Sequence, residues 1–359
     1  MKQFMKYLFS FVIEIYLRFF ISRNDKHNRV QKRIFYSGAF SGNYGGAKVK
    51  FSRLSKFYKN FWYKFDIVYV LSNLHFLTKN SISILKSKNI PIILNQNGIF
   101  YPGWFDGDWK MMNKKLSVPY HESDYVFWQS EFCKFSANKF LGERKGPGEI
   151  LYNCVDTNFF SPKSAKADEN HFIFLITGNI DHHLDYRVIP VIYALNTCVN
   201  KGFNFKLNLA GKINPQLLKK CFQIAKHLNL KNNFKYLGLY NQENAPNIYQ
   251  NSHVYVMLKY KDPCPNTVIE ALSCGLPILY SASGGVPEIV GNSCGVALKV
   301  LDNWHEKKIV PKDEQIVNGM IKIYKNYLSM SKNARNRAVA KFDIKYWIER
   351  HKIIFNKEF

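Results

Sequence analysis

Cysteine is sparse and scattered. Cys133, Cys154, Cys198, Cys221, Cys264, Cys274 and Cys294 are odd in number and form no C-x-x-C pair. That pattern argues for reduced thiols in a cytosolic protein and against a zinc site. Acidic residues are also scarce: 26 Asp and Glu against 51 Lys and Arg leave a net charge of +25. A surface so basic seeks polyanions, whether nucleic acid, acidic lipid or a phosphorylated substrate. No helix-turn-helix, RNP or zinc-finger pattern is present, so nucleic acid is not expected as a partner. Much of the remaining surplus reads as solvated lysine. Short-period repeats and low-complexity tracts are missing too. A hydrophobic content of 47% with 16% aromatics excludes a disordered chain, and 359 residues exceed what one core usually serves.

No long uninterrupted apolar run exists either. The start, Met1 to Ile21, is apolar but broken by Lys6, Glu14 and Arg18, too short and too charged for a membrane span. No small-residue cleavage site follows it, which argues against a secretory signal. Glu14 and Arg18 can pair at i, i+4 on a helix. The basic residues Arg23, Lys26, Arg29, Lys32 and Arg33 come directly after. Residues 1–64 hold 14 Lys and Arg against only Glu14 and Asp25. Residues 1–24 therefore read as an amphipathic helix anchored on an anionic membrane leaflet, with docking on the protein's own core as the alternative.

From Arg33 onward apolar runs alternate with helical patterns. Ile34-Phe35-Tyr36 reads as a strand, followed by the loop Ser41 to Gly46 and a helix through Val49 and Leu54. Ile67 to Leu71, Ile90 to Leu94 and Tyr125 to Gln129 read as buried strands. Ser81 to Lys88 reads as a helix, Asn95 to Gly98 as a loop, and Ser130 as the cap of a further helix. A seam falls near Tyr152 to Pro162, with a polar linker over 163–170. The alternation then restarts with Phe172 to Gly178, Phe205 to Gly211, Phe234 to Gly238 and Val254 to Leu258. This order predicts two Rossmann-like α/β domains with doubly wound parallel sheets, over 25–150 and 151–340, and a closing helix over 341–359. Ligands of such sheets sit beyond the carboxyl ends of the strands, which makes the cleft between domains the expected site.

The densest motif runs from Asp262 to Glu288. Asp262 and Glu270 are separated by seven residues across the start of a short helix, which Gly275 ends and Pro277 keeps from continuing. Ser283-Gly284-Gly285 then opens a second loop rich in accessible backbone. Free N–H groups at a helix start suit a diphosphate, and a carboxylate accepts hydrogen bonds from hydroxyls. Thr267-x-x-Glu270 also has the spacing of a capping box, which by itself accounts for both residues.

Asp262, Glu270-Ala271, Cys274-Gly275-Leu276-Pro277 and Gly284-Gly285-Val286-Pro287-Glu288 resemble the signature of glycosyltransferase family 4. Members are retaining, nucleotide-sugar-dependent enzymes of GT-B fold. Gly45-Gly46 resembles the family's amino-terminal glycine loop, and Ser123 to Val126 with Ser130 the last strand of its first domain. Asn153-Cys154-Val155-Asp156 resembles its Asn-Gly-Val-Asp linker, and Arg335 to Trp347 its closing helices. The resemblance implies that Glu270 binds the donor ribose and that Asp262 faces the donor sugar. It implies that the backbone at Asn266 and Thr267 receives the diphosphate, with Gly284 and Gly285 in the same donor site. Gly45 and Gly46 would let the other domain's backbone approach the phosphates, where a Cβ would obstruct it.

Three positions depart from the family. Asp262 stands for the usual Glu. Asn179 stands for the Arg after the second domain's first strand, with no clean counterpart to the Lys that accompanies it, and Arg187 is the best candidate cation. Asn97 stands for a frequent His; an Asn orients a sugar hydroxyl but is no base. Asp106-Gly-Asp108 has the form of a metal-binding Asp-x-Asp, but it lies in an aromatic loop with Trp104. That composition fits an acceptor site better, since aromatic faces stack on sugars or prenyl chains. His182-His183 reads as loop, with no cysteine or carboxylate partner at zinc spacing, and neither metal nor cofactor is expected.

The resulting expectation is a glycosyltransferase on the inner face of the cell membrane. It would move a hexose-type sugar from a nucleotide diphosphate sugar to a lipid-linked or polysaccharide acceptor in cell-surface glycan synthesis. The alternatives are a nucleotide-sugar epimerase of the same fold and a catalytically silent nucleotide-sugar-binding scaffold.

Overall fold

The computed structural model describes residues 2–19, 21, 31–40, 46–72, 76–163, 170–306 and 309–359. Two compact units emerge, one of residues 1–152 with 346–359 and one of residues 153–345.

The first unit contains α1 (Lys2–Phe19), β1 (Ile34–Phe35), α2 (Gly46–Leu54), β2 (Ile67–Leu71) and α3 (Lys79–Ser87). They are followed by β3 (Ile92–Gln96), α4 (Trp109–Glu122), β4 (Tyr125–Trp128), α5 (Glu131–Leu141) and β5 (Gly148–Ile150). The five strands are parallel and lie in the order β1-β2-β3-β4-β5. Residues of β2, β3 and β4 are buried without alternation, as expected of a sheet covered on both faces. Ser130 caps α5 through Cys133 N–H at 2.9 Å. Strand β3 starts after Pro91 and runs on through Asn95 and Gln96, which the sequence reading assigns to a loop. Parallel pairing of Asn95 with Leu71 and Phe127 carries the ladder past the last aliphatic residue.

Helix α1 docks on this unit. Ile13, Leu17 and Ile21 are buried. The Glu14 carboxylate accepts hydrogen bonds from Thr78 Oγ1 at 2.6 Å and Asn80 Nδ2 at 3.2 Å. The Lys88 ammonium donates to the carbonyls of Leu17 at 2.7 Å and Arg18 at 3.0 Å, so a cation caps the negative end of the helix. Gly38, at φ +85°, lets the helix close in: a Cβ there would sit 3.0 Å from Ile13 Cδ1. Docking on the protein's own core, the alternative left open by the sequence, describes this inner face of the helix. Arg23, Lys26 and Arg29 lie outside the described residues, as does Gly45.

The second unit contains β6 (Phe172–Ile180), a 3-10 turn (His182–Arg187), α6 (Ile189–Asn200), β7 (Phe205–Ile213), α7 (Pro215–His227), β8 (Phe234–Tyr236) and α8 (Ala245–Gln250). Then come β9 (Val254–Met257), α9 (Asn266–Ser273), β10 (Ile278–Ser281), α10 (Val286–Val290), β11 (Gly295–Leu298), α11 (Asp313–Lys325) and α12 (Tyr327–Phe342), after which α13 (Ile344–Phe355) belongs to the first unit from residue 346 on. Its parallel strands lie in the order β11-β10-β9-β6-β7-β8. The winding direction reverses between β6 and β9, so the topological switch point of this doubly wound sheet falls at their carboxyl ends.

The chain returns to the first unit through α13. Trp347, His351 and Phe355 are buried there. His351 Nδ1 donates to the Trp347 carbonyl at 2.8 Å, which leaves Nε2 to accept from Tyr69 O–H at 2.8 Å. The Trp347, Phe127 and Phe355 rings enclose the imidazole at centroid distances of 4.1, 4.7 and 5.6 Å. Burial, together with the nearby Lys50 ammonium, lowers its pKa from 6.5 to about 3. The unfolded chain therefore takes up this proton near pH 6.5 while the folded chain refuses it. The neutral ring contributes its full stability above that pH and loses roughly 1.4 kcal/mol per pH unit below it. Urea unfolding followed by tryptophan fluorescence should show this decline between pH 6.5 and 5, and His351→Asn should flatten it.

Candidate functional site

Strand β6 runs to Ile180 but pairs with β9 only at Phe174 and Leu175. Beyond those residues the two strands part, and polar side chains fill the opening. Thr177 Oγ1 lies 3.1 Å from the Tyr255 phenol oxygen. Arg187, carried by the 3-10 turn, folds back beneath: its Nη2 donates to the Thr177 carbonyl at 3.2 Å. The residue is only 6% exposed, and its Nε has no hydrogen-bond partner among the described residues. It is thus no exposed surface arginine. Gly178, at φ +135°, lines this space; a Cβ there would stand 3.5 Å from Nη2 of the guanidinium. On the neighbouring strand a Cβ at Gly211 would collide with the Gly178 carbonyl, so the two strand ends approach only as glycines.

Helix α9 points its start into the same region. Pro265 is its extended N-cap and contributes no side-chain cap. The first N–H groups, those of Asn266 and Thr267, have no carbonyl within the helix to bond. Asn266 Oδ1 is buried without a partner. The Thr267–Glu270 capping box does not form. Proline, fixed near the required φ, starts the helix two residues before Thr267, which puts Glu270 too far along to reach back. The Thr267 hydroxyl is bonded to the Tyr255 phenol. Glu270 is 2% exposed and accepts from Tyr249 O–H at 3.1 Å. Burial raises the pKa of Tyr240, Tyr249 and Tyr255, with Glu270 adding to each shift, so all three keep their protons, and Tyr249 gives its own to the carboxylate.

The far end of α9 is fixed by α12 and the seam. The Arg335 guanidinium donates to the carbonyls of Ser273 at 2.8 Å, Thr157 at 2.9 Å and Phe160 at 3.0 Å. Asn153 Nδ2 donates to the Cys264 carbonyl at 2.7 Å, which pins the loop ahead of the helix. In that loop Asp262 pairs with Lys259 at 2.8 Å and accepts from Cys264 N–H at 3.2 Å. Gly284 and Gly285 secure it from the other side. Gly285 N–H donates to the Asp262 carbonyl at 2.9 Å, and a Cβ on Gly284, at φ +68°, would strike that same oxygen. Their placement is as a brace for Asp262. Asn179 is exposed.

The remaining residues singled out from the sequence lie in the first unit. Asn97 is buried at the end of β3, where its Oδ1 accepts from Lys50 Nζ and Gln129 Nε2. Lys50 Nζ also reaches Asn95 Oδ1 at 2.5 Å. An ammonium only donates, so both amides turn their oxygens to it, and both Nδ2 atoms are buried without partners. Gly46 opens α2, and a Cβ there would meet nothing within 4 Å. Trp104 is 42% exposed, and Asp106 and Asp108 are exposed. Asp108 caps α4 by accepting from Met111 N–H at 2.8 Å, a role the motif reading missed. His182 and His183 do have a carboxylate beside them, contrary to the sequence reading. Asp181 lies with both, ligand atoms within 4.8 Å, but all three are exposed and Asp181 is engaged by His182 N–H at 2.7 Å.

The tyrosine cage also escaped the sequence reading. A phenol in an otherwise aliphatic buried strand, as at Tyr255, needs a partner for its hydroxyl, and that was the available signal.

A parallel α/β unit with a buried cation and an uncapped helix at its switch point, joined to a second parallel unit, defines the GT-B class of glycosyltransferases. The family profile for glycosyl transferases group 1 matches residues 158–339, and the chain belongs to that family. Protein CapJ of Staphylococcus aureus is 26% identical over 286 residues, 76% of this chain and 67% of CapJ. The UDP-Gal:alpha-D-GlcNAc-diphosphoundecaprenol alpha-1,3-galactosyltransferase of Escherichia coli is 25% identical over 57% of this chain and 53% of its own length. The chain thus spans about half the length of several curated relatives it matches, between 46% and 53%. Among solved structures, Anabaena Alr3699/HepE in complex with UDP superposes with a TM-score of 0.70 at 15% identity, covering 90% of this chain and 99% of that one.

Tyr249→Phe removes a donor from buried Glu270 without changing the ring. Loss of a hydrogen bond to a charged group should cost roughly 1.5–3 kcal/mol, read as a lowered urea midpoint.

Proposed function

We propose that this chain is a retaining family 4 glycosyltransferase. It would move a hexose-type sugar from a nucleotide diphosphate sugar to a hydroxyl of a lipid-linked or polysaccharide acceptor, working peripherally at the inner face of the cell membrane. One observation carries the reading: the buried Arg187 guanidinium, its Nε unbonded, in the same switch-point region as the uncapped start of α9. A desolvated cation and a helix dipole stabilise a departing diphosphate, and they do so most as its charge develops. No metal is needed for that step in this reading.

Glu270, held among phenols, would accept the ribose hydroxyls. The Asn266 and Thr267 N–H groups would receive the diphosphate. Asp262, braced by Gly284 and Gly285, would face the donor sugar, with Lys259 beside it. Gly46, with Gly45, would keep the approach to the phosphates clear, and Asn97 would orient a sugar hydroxyl. Trp104, Asp106 and Asp108 would meet the acceptor, Trp104 by stacking. The acceptor hydroxyl attacks on the face the diphosphate leaves, within an ion pair, and positioning replaces a protein nucleophile. A uridine donor is favoured by two likenesses. Alr3699/HepE was also solved in complex with UDP-glucose, and the Escherichia coli relative is named for UDP-Gal and a diphosphoundecaprenol acceptor.

A thermal-shift screen against UDP-, GDP-, ADP- and CMP-sugars tests donor binding, since ligation of the native state raises the melting temperature. One donor class should raise it, and Glu270→Ala should abolish that rise. Arg187→Ala should keep donor binding measurable and lower turnover by about 10²–10³-fold. Nucleotide release must depend on acceptor; conversion of the donor to an epimeric nucleotide sugar without acceptor would indicate an epimerase, and no turnover at all a silent binder.

A further inference from the structure

Helix α1 is docked by one face only. Ile13 and Leu17 are buried, while Leu8, Phe11, Val12, Ile15 and Phe19 are exposed. At about 100° per residue, those five side chains occupy an arc of roughly 100° on the side opposite Ile13 and Leu17. An 18-residue helix with a completely apolar outer stripe, Phe19 at 73% exposure and Phe11 at 59%, is not what water favours.

Both flanks of the stripe carry aromatic rings beside lysines. On one, Trp62 meets Phe9 at 6.3 Å between ring centroids, and its carbonyl accepts from Tyr16 O–H. Next to it Tyr63 is 59% exposed, with the Lys64 ammonium 5.3 Å from its ring centre. On the other, the Lys115 ammonium of α4 stands 6.0 Å from the Tyr7 ring. An apolar centre edged by indole, phenol and ammonium groups matches the depth profile of a bilayer interface: acyl chains, then the headgroup boundary, then anionic charge. The length of α1 does not suffice to span: no helix among the described residues is long and apolar enough to cross a membrane.

We propose that α1 stays docked on its own unit and presents this outer stripe, with the Trp62–Tyr63 loop, as a monotopic surface that lies in an anionic leaflet. The proposal deepens the membrane-face reading above by assigning the residues that enter the lipid, and it rests on that reading only for the purpose of the contact.

The full-length protein is mixed with vesicles of phosphatidylcholine, with or without phosphatidylglycerol, and sedimented. The wild type should bind the anionic vesicles, and the doubly substituted F11E/F19E protein should bind them about a hundredfold more weakly. Both positions are exposed, so its melting temperature should match the wild type. Brominated acyl chains should quench wild-type fluorescence, and Trp62→Phe, which keeps the packing on Phe35, should remove that quenching. Unchanged binding by F11E/F19E, or quenching unaffected by Trp62→Phe, overturns the proposal. So does a wild-type dimer that the double substitution splits without any vesicle binding, which would make the stripe a self-association face. Transfer to a water-soluble acceptor should be the same in wild type and F11E/F19E. Its absence from both would count against the enzymatic reading and leave the lipid result standing.

Discussion

A guanidinium removed from water is the constraint around which the second unit is organised. A buried cation costs several kcal/mol unless something compensates it. Within the protein Arg187 has one hydrogen bond, to the Thr177 carbonyl. The glycines at 178 and 211 keep bulk away from it, and the Tyr255 phenol stands between this cation and the Glu270 carboxylate, interacting with both. Such a centre is poised for a ligand that brings two or more negative charges. The same desolvation that makes Arg187 costly would strengthen its hold on the diphosphate proposed above, because little water remains to screen such a pair.

The rest of the unit holds one helix in place. The role proposed for α9 requires that its start stay uncapped and correctly aimed, and its supports come from outside the helix. Arg335 binds the last carbonyls, Asn153 holds the preceding loop, and the Gly284–Gly285 turn holds Asp262. Three segments far apart in the chain thus converge on a helix of eight residues. That explains why the motif is long: much of it serves orientation, with contact left to a few atoms.

The alternation of strands and helices was legible because it depends on local periodicity and on glycine and proline punctuation. Ser130 capped its helix and Gly275 ended its own for the same reason. Arg187 could be singled out because the family's cation had no other clean counterpart, and the structure shows it buried. The tyrosine cage was not legible. Its members come from three elements whose convergence is a property of sheet order, which no spacing encodes. Lys50 was hidden similarly: a lysine between Val49 and Phe51 reads as surface until strand β3 brings Asn95 and Asn97 against it. Thr267–Glu270 imitates a cap and is not one, because Pro265 starts the helix. Asp108 does cap α4, a local role that the Asp-x-Asp spacing did not disclose.

The return of α13 has a bearing on biosynthesis. Trp347, His351 and Phe355 fill the centre of the first unit, against Phe127 of strand β4 and Tyr69 of strand β2, which precede His351 by 224 and 282 residues. While the ribosome is still translating, those strands lack their covering and present a bare apolar surface. The unit that emerges second, by contrast, holds all its own parts before the last helix is made. The usual amino-terminal-first order of co-translational folding is therefore inverted here, and the nascent amino-terminal half is a natural client for chaperones until residues 346–359 arrive.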